Sequence, residues 1–129
     1  MRKHTTILLI LISLFFTSSV NSQWYEQTLP VSATINDMVF FNASTGLIAM
    51  SNTNILRTTN GGDNWTIAAP IYLYTIKKVD SVAAFGLGYS LALASKMIFK
   101  TTDKGVTWDS IIPSTLLMSD IWFANRDTG

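Results

Sequence analysis

The chain has 129 residues, 48% of them hydrophobic and 13% charged, with nine Lys and Arg, eight Asp and Glu, one His and no Cys. The missing Cys rules out disulfides, thiol nucleophiles and a lipoprotein anchor, and the single His at position 4 leaves no Ser-His-Asp triad or His-based zinc site downstream. Scattered, nearly balanced charge gives no basic stripe to neutralise phosphates, so nucleic acid is not an expected partner.

Met1-Arg2-Lys3-His4 is a positive start, Ile7 to Phe16 is apolar except for Ser13, and Val20-Asn21-Ser22 ends in a small residue. That order predicts a signal peptide over residues 1–22, cleaved after Ser22. A ten-residue apolar helix covers about half of the ~30 Å hydrocarbon core, so no stable membrane anchor is expected. Export predicts a product that is secreted, periplasmic or at the cell surface. Loss of Arg2 and Lys3 leaves the eight acids one in excess of the cations.

Beyond residue 22 the chain repeats itself. Trp24 stands as the last Trp of an earlier unit, so residues 23–34 read as the end of one blade. The next unit, 35–69, has strands at Ile35–Phe41, Gly46–Met50, Ile55–Thr58 and Asn64–Ala68, separated by Asn-, Ser-, Thr- and Gly-rich turns. Arg57-Thr58-Thr59-Asn60-Gly61-Gly62-Asp63-Asn64-Trp65 aligns with Lys100-Thr101-Thr102-Asp103-Lys104-Gly105-Val106-Thr107-Trp108 at an offset of 43. Carried backwards, that offset pairs Asp37 with Asp80, Val39 with Val82, Ala49 with Ala92 and Ile55 with Ile98, and places a blade at 76–112. The segment Pro70-Ile71-Tyr72-Leu73-Tyr74 then reads as the connector between blades. Asp37 to Gly46 matches Asp120 to Gly129 at an offset of 83, the start of a third unit over 117–129. Four short strands per ~42 residues predict an all-β fold of four-stranded antiparallel β-propeller blades. The array is incomplete, about two and a half repeats against the 4–8 blades of a closed ring, so further blades from a longer parent chain or self-association are expected.

The repeated turn has a physical reading. An Asx side chain accepts hydrogen bonds from backbone N–H groups just ahead of it, Gly supplies positive φ, and Trp covers the turn. Thr58, Asn60, Gly62 and Trp65, then Thr101, Asp103, Gly105, Thr107 and Trp108, resemble the Asp-box of sialidases and related BNR-repeat propellers. Whole units are similar to photosystem II assembly-factor-like secreted propellers. Phe40-Phe41-Asn42-Ala43-Ser44-Thr45-Gly46 and Ile55-Leu56-Arg57-Thr58-Thr59-Asn60-Gly61-Gly62 carry that resemblance. The second unit departs where Gly46 would recur, since the 43-residue offset brings Tyr89 there.

The resemblance implies a non-catalytic scaffold for protein binding or assembly. The alternative it implies is a sialidase-like glycoside hydrolase, which needs three arginines, a Tyr/Glu nucleophile pair and an acid/base Asp. The mature chain keeps only Arg57, Arg126 and Glu26 of the arginines and glutamates, so it is not expected to be an enzyme. Asn60 and Asp103 are read as turn closers, because a calcium loop would need several carboxylates and a terminal Glu. No cofactor or metal is expected. The sequons at Asn42 and Asn64 are taken as coincidence. Connectors opposite the repeated turns are free of packing duties, which makes Tyr72, Tyr74 and Lys96 the candidate binding face for a protein or glycan.

Overall fold

The computed structural model describes residues 26–90, 93–114 and 118–129. The signal-peptide reading, its cleavage point and Trp24 lie outside the described residues. Eight strands follow in chain order: β1 Ile35–Phe40, β2 Gly46–Met50, β3 Ile55–Thr58, β4 Thr66–Ala69, β5 Tyr72–Lys78, β6 Ala84–Ser90, β7 Ser95–Thr101 and β8 Asp109–Ser114. They form two antiparallel sheets, β1-β2-β3-β4 and β5-β6-β7-β8. There is no helix among the described residues. The architecture is all-β, two successive four-stranded blades in an open array.

Alternation sets the packing. On β2, Leu47 and Ala49 point into a core shared with Leu73, Ile76, Met97 and Phe99 of the second sheet. Ile48 and Met50 point the other way, towards Leu56 and Trp65. With both faces covered, β2 is buried along its whole length. Each fully buried Leu or Ile between the sheets contributes roughly 1.5–3 kcal/mol. Polar latches join the sheets near their innermost strands. The Asp37 carboxylate accepts from the Thr75 hydroxyl (2.7 Å) and the Ile76 N–H (2.9 Å), and Asn36 Nδ2 donates to the Leu73 carbonyl (2.8 Å). Lys78 Nζ reaches the Phe41 carbonyl (2.9 Å).

The ladder corrects the repeat register. Gly46 lies between Phe40 and Thr58 as Ala84 lies between Lys78 and Thr101. The first two strands of the units therefore correspond at an offset of 38, and only beyond the second hairpin does the offset become 43. Asp37 corresponds to Thr75, not Asp80; Val39 to Lys77, not Val82; and Ala49 to Leu87, not Ala92. Ile55 and Ile98 do correspond. The cause is five additional residues in the β6–β7 hairpin, which runs three cross-strand pairs beyond the β2–β3 ladder. The second blade accordingly starts at Tyr72, not at residue 76, and Tyr72 and Tyr74 are strand residues, leaving Pro70 and Ile71 as the connector.

The first turn of the second unit is intact once the register is right. Asn42 Oδ1 accepts from the N–H groups of Ser44 and Thr45, and Asp80 Oδ1 accepts from Val82 and Ala83 in the same way. Ala84 replaces Gly46 for a steric reason. A Cβ on Gly46 would stand 2.8 Å from the Phe40 ring, and one on Gly129 2.4 Å from Phe123. In the second blade Lys78 takes the place of Phe40, so a methyl fits.

Residues 118–129 repeat the start of a unit. Ala124 N–H donates to the Thr128 carbonyl (2.9 Å), as Phe41 N–H does to Thr45, and Asp127 N–H donates to Asn125 Oδ1. They lie on the second blade, where Phe123 stacks on Phe85 at 3.8 Å and Arg126 pairs with Asp80. That guanidinium, followed by hydrogen bonds from Val82 and Ala83, holds the Asp80 carboxyl well below the usual carboxylate range.

Candidate functional site

The two repeated turns are closed almost identically. Thr58 Oγ1 donates to Asn60 Oδ1 (2.9 Å) and accepts from the Gly62 N–H (3.0 Å); Thr101 Oγ1 donates to Asp103 Oδ1 (2.8 Å) and accepts from the Gly105 N–H (2.9 Å). Asn60 Oδ1 also takes the Asn64 N–H. Asp103 does more: Oδ1 accepts from Val106 and Thr107, and Oδ2 accepts the Thr107 hydroxyl at 2.6 Å. Each turn is pinned to the first turn of its own blade, Gly61 N–H on the Ser44 carbonyl and Lys104 N–H on that of Val82. Trp65 is buried edge-on against Phe40, at 6.1 Å between centroids. Trp108 is half-buried against the core between the blades. Both carboxylate oxygens of Asp103 are thus occupied by turn-closing donors, the geometry of a structural turn.

Burial alone would raise the Asp103 pKa. Hydrogen bonds from the Thr107 hydroxyl and N–H, the Thr101 hydroxyl and the Val106 N–H outweigh it and lower the pKa below the ordinary 3.8. A carboxyl whose folded pKa is depressed stabilises the fold above its unfolded pKa and loses that contribution as pH falls through the folded value. Asp103→Asn is therefore expected to flatten the acid limb of the stability curve below about pH 4, whereas Asp103→Ala costs about 1–3 kcal/mol at neutral pH. Urea midpoints across an acid series check this; an unchanged acid limb in Asp103→Asn would show that the carboxylate is not what the fold protects.

The opposite rim collects aromatic side chains. Tyr72 faces Tyr89 on β6, and Tyr89 faces Lys96 on β7, so the three lie in one row across the sheet. Tyr74 is the unpaired residue of a β-bulge, because Leu73 pairs with Gly88 and Thr75 with Leu87. The bulge turns Tyr74 outward, 37% exposed, edge-on to Tyr72 at 4.9 Å, with the Lys96 ammonium 5.7 Å from its ring. Burial, then the neighbouring Tyr72 and Tyr89, raise the Tyr74 pKa, so its hydroxyl stays neutral at physiological pH. Lys96 Nζ also donates to the Met118 carbonyl at 3.0 Å.

Beside this row, Thr53 from the β2–β3 turn, Pro70, Ile71, Tyr72, Tyr89 and Phe99 line a cleft of about 300 Å³. The structure thus brings Tyr72, Tyr74 and Lys96 together and keeps them away from the turns at Thr58–Trp65 and Thr101–Trp108. Tyr89 belongs to the cluster and was missed from sequence, because the uncorrected register placed it in the first turn. Tyrosines at the facing ends of two paired strands are the signal that would have found it.

A family model described as photosynthesis system II assembly factor YCF48 matches residues 16–120. No curated protein matches the chain. A solved structure titled "YCF48 bound to D1 peptide" superposes with a TM-score of 0.62 at 22% identity, over 77% of this chain and 32% of that one. The chain therefore spans about a third of that relative's length and shares its fold.

Proposed function

The chain belongs to the photosynthesis system II assembly factor YCF48 family of BNR-type propeller repeats, and from that premise we propose that it is an exported, non-catalytic scaffold that binds a protein partner on the Tyr72–Tyr74–Lys96 rim. One observation carries the reading: three tyrosines and a half-buried lysine gather beside a cleft on the rim that the turn-closing hydrogen bonds leave free. Tyrosine supplies a large contact area at low entropic cost and a polar tip that finds partners, which is why it is enriched at interfaces. A structure of a family protein bound to a peptide is in keeping with this class of partner. The apolar run at Ile7–Phe16 supports export, to the periplasm, the cell surface or the medium, by cleavage after Ser22.

The hydrolase alternative draws nothing from the geometry. Arg57 Nε donates to the Lys104 carbonyl between the blades and Arg126 pairs with Asp80, so each arginine has a structural partner within the array.

Pull-down of a partner from the native exported fraction is expected to fall at least tenfold with Tyr72→Ala plus Tyr74→Ala, a change of about 1.4 kcal/mol or more, while the melting temperature stays within a few degrees. Undiminished capture with a lowered melting temperature would assign both rings to packing. Selective retention on a glycan array, lost in the same variant, would make the partner a glycan.

A further inference from the structure

The two closed turns differ in one side-chain atom. Asp103 closes the second turn with two acceptors: Oδ1 takes the Thr101 hydroxyl and the N–H groups of Val106 and Thr107, and Oδ2 takes the Thr107 hydroxyl (2.6 Å) and N–H (3.0 Å). Asn60 closes the first turn with one. Its Oδ1 takes the Thr58 hydroxyl (2.9 Å) and the Asn64 N–H (3.0 Å), but its other terminal atom is Nδ2, a donor where Asp103 has an acceptor. The N–H that approaches is that of Asn64, which holds the place of Thr107. A carboxylate at position 60 would therefore meet the same donor with both oxygens, as Asp103 does. The second turn sits against Leu47 of the first blade, so this template is a turn with its neighbouring blade in place.

A second feature singles out the same residue. Asn60 is the only asparagine in the chain that is followed by glycine. Every other one precedes a residue whose side chain crowds ring closure onto the asparagine carboxamide. Gly61 lacks that obstacle and holds φ at +76°. We propose that Asn60–Gly61 is a self-modifying site, at which loss of ammonia converts the Asn-closed turn of the first blade into the Asp-closed turn of the second. This site is separate from the tyrosine rim and does not depend on the function proposed for it.

The chemistry needs only water. The Gly61 backbone nitrogen gives its proton to solvent base and attacks Asn60 Cγ; the new N–Cγ bond forms as Cγ–Nδ2 breaks and ammonia leaves. Water then opens the resulting succinimide. Attack at Cγ returns the original main chain with Asp at position 60, whereas attack at the backbone carbonyl carbon routes the chain through Cβ and Cγ as isoaspartate. Only the first product keeps the spacing that lets Thr58 reach Gly62 and residue 60 reach Asn64. The fold also sets the pace. The Gly61 N–H is held on the Ser44 carbonyl at 2.8 Å, so the nitrogen is free to attack only when that bond between the two turns opens.

The test incubates the full-length chain in mildly alkaline buffer, with and without urea, and maps its peptides by mass at intervals. Asn60 is expected to convert to the acid in the native chain while every other asparagine stays intact, about tenfold or more slowly than in urea. In heavy-oxygen water the new carboxyl should carry one heavy oxygen, the mark of succinimide opening. Asn60→Asp, which supplies the product directly, is expected to melt a few degrees above the wild type, and Asn60→Gln should show no conversion at that position. A native chain whose Asn60 stays intact after the urea sample has converted overturns the proposal, because the turn would then lock the amide for good. So does an Asn60→Asp variant that melts below the wild type or fails to fold, which would show that the first turn requires the amide, and so does conversion at the other asparagines at the same pace.

Discussion

Trp65→Ala should lower stability by about 3–5 kcal/mol, the usual cost of emptying a buried indole site. Trp65 is 8% exposed and packs with Ile48, Met50 and Leu56, and its ring stands edge-on to Phe40. Aromatic pairs of this kind add about 0.5–1.5 kcal/mol beyond area burial. The same substitution at Trp108 is expected to cost less, although the two residues are equivalent in the repeat. Trp108 is only half-buried, and its indole Nε1 is buried without a hydrogen-bond partner, a penalty that truncation removes. Urea unfolding at low protein concentration gives both values, with an unchanged slope confirming that the unfolded reference is shared. Equal losses at the two sites would contradict the difference in burial, and a loss below about 1 kcal/mol at Trp65 would mean its ring is not packed.

The blade architecture was readable because its signals are local. Asn60 and Gly62, and Asp103 and Gly105, close their turns through contacts within four residues in sequence, so spacing alone exposes them. The strands Gly46–Met50 and Ile55–Thr58 were equally visible, being short apolar runs between turn residues. The register of the second blade was hidden, since a hairpin can lengthen by whole cross-strand pairs without disturbing either end. Its extra residues shifted the offset by five between β6 and β7, and this displaced Tyr72, Tyr74 and Tyr89 together. The pairing of Phe40 with Gly46 and of Phe123 with Gly129 was a usable clue. Where Lys78 replaces the aromatic residue the glycine is not required, so its absence at Ala84 did not mean a missing turn. The tyrosine rim depended on that register and on a bulge at Tyr74 that no local pattern announces.

Gly105→Ala is the second substitution with a large expected effect, and it reports on the contact between blades. Gly105 and Gly62 hold the same place in their turns and both have positive φ, +82° and +104°. For either, a side chain in that region costs about 1–2 kcal/mol. Their surroundings differ. A Cβ on Gly62 would rest 3.6 Å from the Trp65 ring, an ordinary contact, whereas one on Gly105 would stand 2.5 Å from Leu47 Cδ2 of the other blade. Leu47 is fully buried and cannot swing aside without moving its neighbours, so overpacking adds about 1–3 kcal/mol at Gly105 alone. Gly62→Ala should therefore be the milder of the pair. Leu47→Ala by itself should cost about 2–5 kcal/mol. Made together with Gly105→Ala, it removes the methyl groups that the new Cβ strikes, and the double variant should be more stable than the sum of the single losses predicts, by about 0.5–3 kcal/mol. Strict additivity in that cycle would mean the two residues do not touch, and the first blade would then not be seated on the turn of the second.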